Sequence, residues 1–265
     1  MVRKMIRKIF IVVLSLICVI SAGCFEGGSH LIITDDGEVF MRNKLIGNPI
    51  VANQIENFKE SFANKPNVEI SPVAENNMSG YEIRLHYPDM KSFKAENFSL
   101  YSAKKGKCRG IQQKDGWFFD AYNFDLIFSG ERKLSPSESA AIQSMLSQVT
   151  FDLVIELPYS ADKNNADKSD VSYKMLTWNL AAALIGGSEK PIRFQFKIWH
   201  KDKIFLTVLV EILLIAAGIF FHVKKNSEED EKFLQSMIFK RNVFAGLSIA
   251  LAIISAYMIL APVKY

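Results

Sequence analysis

The chain divides by its pattern of apolar positions into three almost wholly apolar runs and a long middle in which apolar and polar residues alternate. Residues 204–223 and 243–262 are each long enough to cross about 30 Å of hydrocarbon. The third run, 9–20, is shorter and follows the basic residues Arg3, Lys4, Arg7 and Lys8, the layout of an export signal rather than of a fold element. Between these runs the period changes repeatedly. Residues 30–34 and 38–46 flank Asp35, Asp36 and Gly37 and predict an opening hairpin. Ile50, Val51, Ile55, Phe58 and Phe62 recur at helical spacing and predict a helix over 49–65. Residues 68–73 and 81–87 predict a second strand pair across the turn-forming stretch 75–80, and further strands are expected at 98–103, 110–113 and 117–128. Ser135 as cap, Pro136 at the first helical position and Glu138 at the third open a helix that runs to about residue 149. Three more strands are expected at 151–157, 173–180 and 192–199; in the last, Arg193, Gln195 and Lys197 alternate with Ile192, Phe194, Phe196 and Ile198. The expected fold class is α+β, an antiparallel sheet with at least two packed helices, followed by a two-helix transmembrane hairpin.

Length and charge then set the organisation. Removing the signal, residues 1–23, and the hairpin leaves about 180 residues, 30–203 with a short tether at 24–29, enough for one domain. The net charge of +4 is small and its basic residues are scattered, so nucleic acid is not an expected partner. Lys224, Lys225, Lys240 and Arg241 sit at the two ends of the intervening loop 224–242, which places that loop in the cytoplasm and the domain outside it. His200, Lys201 and Lys203 run against that rule on the other side. The segment Ile20-Ser21-Ala22-Gly23-Cys24 resembles the lipobox of bacterial lipoproteins, with Ser21 where leucine is commoner. The resemblance implies cleavage before Cys24 and a lipid on its thiol. The chain is thus expected in the cell membrane of a bacterium, held by that lipid and two spans, with its domain on the extracytoplasmic side. Cys18 leaves with the signal and Cys108 has no partner in the domain, so no disulfide is expected.

Candidate chemistry is sparse. His30, His86, His200 and His222 fall in no metal-ligand spacing, and no nucleophile elbow, phosphate-cradling glycine loop or paired cysteine motif occurs. Asp35, Asp36 and Gly37 lack the alternating ligands of a calcium loop, and Asp120, Asp125 and Asp152 match no acid and base spacing. No metal site, cofactor or catalytic residue is expected, and a non-enzymatic role leads. Lys104, Lys105, Lys107 and Arg109 form the densest basic cluster, read either as a solvated loop or as a contact to anionic headgroups. Trp117 and Phe119 belong to an aromatic stretch from Phe93 to Phe128 that either fills a core or lines an apolar pocket. Glu211 is the one carboxylate well inside a span, where an uncompensated charge is costly, and Ser255 or Tyr257 is the expected hydrogen-bond partner across the hairpin.

The stretch 151–158, the residues Asn164, Asn165 and Ala166, and Leu176-Thr177-Trp178-Asn179-Leu180 before the final alternating strand resemble the LppM-like family of bacterial lipoproteins. That resemblance implies an exported α+β domain associated in some members with binding envelope lipids or glycolipids, and it supplies no catalytic residues. The expected roles are binding of a lipid or other envelope component, or assembly with a membrane protein partner through the hairpin; action as an enzyme on envelope lipids is a third.

Overall fold

A computed structural model describes residues 25–49, 52–63, 67–75, 77–95, 109–129, 150–186, 188–225 and 231–263. The expected signal, Cys24, the cluster Lys104, Lys105 and Lys107, the strand at 98–103 and the capped helix at 135–149 lie outside them. The opening hairpin is β1 (Phe25–Ile33) and β2 (Val39–Gly47), closed by a turn in which Gly37 takes φ 85°, a conformation glycine adopts without steric cost. β1 begins five residues earlier than the pattern predicts. Residues 25–29, read as a flexible tether, are strand, because Ser29 hydrogen-bonds Asn43 inside the fold and Gly27 and Gly28 leave room for close neighbours.

Helix α1 (Ala52–Ala63) buries Ile55 and Phe62, as the helical spacing requires, and packs on β2, β3 (Val68–Glu75) and β4 (Met78–Tyr87). β3 and β4 turn tightly: Glu75 pairs with Met78 and Asn77 sits at φ 63°. Ser79 and Gly80, expected in that turn, are strand residues. α2 (Met90–Ala95) follows, and Met90 and Phe93 are buried. β5 (Gly110–Lys114) and β6 (Phe119–Ser129) come next, then β7 (Thr150–Glu156), the two-residue strands β8 (Lys163–Asn164) and β9 (Lys168–Ser169), β10 (Met175–Asn179), α3 (Ala181–Gly186) and β11 (Glu189–Trp199).

Two sheets result, one in the order β3-β4-β2-β1-β7-β10-β9 and one in the order β5-β6-β11-β8. Most pairings given by register are antiparallel, but β1 and β7 run parallel, Glu26 opposite Thr150 through Ile32 opposite Glu156. Period-two alternation decides which side chains meet. Phe124 of β6 stacks on Phe194 of β11 at 4.3 Å, and Trp178 of β10 packs on the same Phe194 at 5.7 Å, so three fully buried aromatics join the sheets. Of the aromatic stretch, Phe93, Phe118, Phe119, Tyr122, Phe124 and Phe128 are buried.

By contact density the described residues form two units, one made of those up to Gln112 with Asn123–Phe196, the other of Gln113–Tyr122 with those from Lys197 on. The second contains α4 (Lys201–Lys225) and α5 (Glu231–Leu260), which pack against each other. Both are long and apolar enough to cross a membrane, and none of either apolar window is buried within the protein. Helices that turn Phe205, Leu213, Ile219, Ile249 and Ile253 outward belong in lipid, which identifies the protein as membrane-associated. Helix α5 begins twelve residues before the expected span: Glu231 to Asn242, read as loop, are helical and form its cytoplasmic-side extension under the expected topology.

Candidate functional site

Inward alternation of Phe124, Phe194 and Phe196 forces their neighbours onto the other face of the second sheet. There Asn123 and Asp125 of β6 meet Arg193 and Gln195 of β11, with Lys163 and Asn164 of the β8 edge and Arg109 completing a groove of about 400 Å³. The Arg193 Nε donates to Asp125 Oδ1 at 2.9 Å, and the Arg109 backbone N–H donates to Asp125 Oδ2 at 3.2 Å. Gln195 Nε2 donates to Asn123 Oδ1 at 3.1 Å, and Asn123 Nδ2 to Gln112 Oε1 at 2.8 Å. Asp125 is thus fixed from both sides. Arg109, Lys163 and Arg193 give the groove three cationic residues to one carboxylate, of which only the Arg193 side chain pairs with it, and the carboxamides present both donors and acceptors. The arrangement suits a ligand that is anionic and rich in hydroxyl groups.

The groove's outer wall is positioned by Asn165. Its Oδ1 accepts from the Trp178 indole N–H at 3.1 Å and from the Arg193 backbone N–H at 2.7 Å, while its Nδ2 donates to the Pro191 carbonyl at 3.0 Å. Its own N–H donates to the Arg193 carbonyl at 3.0 Å. A strand of two residues makes few ladder bonds, and this side chain adds to the backbone bonds that hold β8 to β11. The Asn-Ala and Thr-Trp motifs, thirteen residues apart, are the two ends of one hydrogen bond. Asp167, two residues on, accepts from the Asn179 N–H at 2.8 Å and from Lys190 at 2.6 Å. Burial pushes its carboxyl up, but the Lys190 ammonium and the Asn179 N–H outweigh that and hold it below the usual carboxylate value.

Other expected site residues fall elsewhere. Arg109 reaches the groove rim, a role its place in a basic cluster did not specify. Trp117 is 51% exposed and Phe119 is buried edge-on against Trp199, both in the unit that carries the long helices. Glu211 does face a hydroxyl across the helix hairpin, but it is that of Ser248, not of Ser255 or Tyr257, the latter 73% exposed. The expected pairing matched depths from the outer ends of two equal spans. Because α5 starts at Glu231 and has 30 residues to the 25 of α4, the register slides and brings Ser248 level with Glu211. Glu211 Oε2 is buried and has no hydrogen-bond partner among the described residues. Asp120 lies 3.0 Å from His200, and Asp152 accepts from Asn179 Nδ2 at 2.9 Å, so both serve local contacts. No group of three or more metal-ligating side chains occurs among the described residues.

A second concavity lies on the outer face of the first sheet, where His30, Arg42 and Arg84 stand in one cross-strand row and Phe40 stacks on His86 at 4.5 Å. Glu82 is 2.6 Å from Arg84 and 3.8 Å from Arg42, and Glu156 is 3.5 Å from His30, so the charges there are balanced within the sheet. The groove at Arg193 is the better candidate.

No protein-family profile and no curated protein matches the sequence. Among solved structures, the folded domain of the LppM protein of Mycobacterium tuberculosis, determined by NMR, is similar over 68% of this chain and 93% of that one, with 9% sequence identity and a TM-score of 0.41. At that level neither membership of a family nor a shared function follows.

Proposed function

We propose that this chain is a lipoprotein of the bacterial cell membrane, anchored by Cys24 and by α4 and α5, whose extracytoplasmic domain binds an envelope component bearing an anionic, hydroxyl-rich headgroup. The observation that carries the reading is the groove lined by Arg109, Lys163 and Arg193 with a single carboxylate, Asp125, amid carboxamides. Arginine forks recognise phosphate and carboxylate oxygens in two-point fashion, and neutral amides read hydroxyls. Asp125, the groove's carboxylate, is already engaged by Arg193 and by the Arg109 N–H, which favours retention of a ligand over turnover.

The test is to purify the full chain in lipid nanodiscs formed from native membrane extract and to identify by mass spectrometry what stays bound. A near-stoichiometric phosphorylated or sugar-bearing lipid is expected with the wild type. It is expected to fall by about tenfold or more with Arg193→Glu, since hydrogen bonds to charged groups contribute about 1.5–3 kcal/mol. An unchanged lipid profile in that variant sinks the assignment of the groove.

A second reading rests on Glu211, whose Oε2 has no described partner. A donor from another membrane chain would satisfy it, which makes the hairpin an assembly element. Co-purification of a membrane protein with the wild type but not with Glu211→Leu supports this reading; a solitary chain in mild detergent counts against it.

A further inference from the structure

The turn between β5 and β6 is short and firmly built. Gln113 Nε2 donates to Asp115 Oδ1 at 2.7 Å, and the Gly116 N–H donates to Asp120 Oδ1 at 3.3 Å. A side chain at Gly116 would lie 2.5 Å from the Phe119 carbonyl oxygen, so the turn requires glycine there. The same Asp120 lies 3.0 Å from His200 Nε2, and the Phe118 carbonyl accepts the His200 N–H at 2.8 Å. Two contacts therefore latch the turn to the joint between β11 and α4. Beneath it Phe118, Phe119 and Ala121 form a buried cluster against which Trp199, Ile204 and Val263 pack. Ile204 opens the apolar run of α4 and Val263 follows α5, so both helices end on this cluster.

Trp117, at the tip, is half exposed although it is the residue with the most apolar surface in the turn. Its indole N–H reaches Thr207 Oγ1 at 3.4 Å, and the Lys203 ammonium lies 5.6 Å from its ring centre. Thr207 is three residues beyond Ile204, about 4.5 Å further along the helix axis. The ring is therefore held level with the first turn of apolar α4, beside Phe205 and Leu206, whose side chains also face outward. An indole with an apolar body, a polar N–H and a cation above it matches the boundary between headgroups and acyl chains, and water suits it poorly.

We infer that the β5–β6 turn is a membrane-binding element: Trp117 sits in the glycerol and headgroup layer of the leaflet that α4 enters, with Lys203 toward the lipid phosphates. The bilayer thus holds the chain at a further point besides the lipid proposed on Cys24 and the two helices. The placement also accounts for one of the basic residues that oppose the expected topology, because Lys203 covers Trp117. The inference rests on α4 crossing the bilayer, which is checked separately.

The full chain is reconstituted in vesicles of phosphatidylcholine and phosphatidylglycerol carrying a nitroxide either near the ester carbonyls or near the acyl-chain ends. Tryptophan emission is compared between the wild type and Trp117→Phe, so that the difference belongs to Trp117. Loss of that component to the shallow label, with little effect of aqueous acrylamide, is the expected result. Quenching by acrylamide and none by either label overturns the inference. Should Trp117→Phe not fold, Trp199→Phe leaves only Trp117 and the fully buried Trp178, and any lipid-quenched emission then reports Trp117. Alkaline carbonate extraction, run alongside, tests the spans: a chain released by it removes α4 from the bilayer and defeats both readings. A chain retained with a water-exposed Trp117 defeats this one alone.

Discussion

Replacing Asn165 with alanine removes three interactions at once, and their different surroundings allow the cost to be worked out. The Trp178 indole N–H is fully buried, so without Asn165 Oδ1 it loses its partner and regains no water, at about 1–3 kcal/mol. The Arg193 N–H and the Pro191 carbonyl are partly exposed, where water replaces the lost partner and each bond is worth about 0.5–1.5 kcal/mol net. Together the loss is about 2–6 kcal/mol, concentrated where β8 meets β11. Hydrogen exchange followed by mass spectrometry on the full chain in nanodiscs reads it locally, which matters because two units need not unfold together. Peptides covering 189–199 in Asn165→Ala are expected to exchange at least about tenfold faster, one decade for each 1.4 kcal/mol. Asn165→Asp keeps the acceptor for Trp178 and Arg193 but sets a carboxylate oxygen against the Pro191 carbonyl in place of the donor, so it is expected to cost about 1–3 kcal/mol, at Pro191 and not at Trp178. Equal exchange in Asn165→Ala and the wild type, or an aspartate variant as damaged as the alanine one, refutes the reasoning.

Gly80→Ala is expected to destabilise the first unit by about 1–3 kcal/mol or more, since a Cβ there falls 1.9 Å from the Leu45 carbonyl and the backbone must shift; thermal denaturation by near-UV circular dichroism measures it. Asp167 contributes stability that is complete above the ordinary carboxyl value near 3.8 and is lost as pH falls through its lowered value, so a melt below pH 4 is expected to drop less in Asp167→Asn than in the wild type. Ser248→Ala leaves both oxygens of Glu211 without a described partner and is expected to weaken the hairpin by about 0.6–1.7 kcal/mol, whereas Glu211→Leu combined with it restores stability; steric trapping in bicelles measures both.

Much of this architecture follows from local pattern. The alternation in 192–199 places Phe194 and Phe196 in the core and Arg193 and Gln195 outside, which is already the inner and outer face of the groove's central strand. The opening hairpin follows from Asp35-Asp36-Gly37, and α1 from Ile55 and Phe62. What escaped depends on contacts distant in sequence. The parallel pairing of β1 with β7 joins residues more than a hundred positions apart, and no turn signals it. β8 and β9 have two residues each, too few for any period, and they exist because Asn165 and Asp167 tie them to neighbours. The groove itself was missed because its cations come from separate places in the chain, and of the one visible cluster, Lys104, Lys105, Lys107 and Arg109, only Arg109 lies among the described residues and lines it. Asp125 matched no catalytic spacing, and its meeting with Arg193, 68 residues on, is a fact of sheet topology.

The early start of β1 has a mechanical consequence. A strand that is already paired at Phe25 with Gly47, and at Glu26 with Thr150, leaves no slack chain behind residue 24. A lipid carried on Cys24 would pull along the axis of a strand bonded on both flanks, so the load is shared in shear across two ladders instead of opening one bond at a time. Such an attachment would be stiff, and it would transmit any displacement of an acyl anchor directly into the middle of the larger sheet.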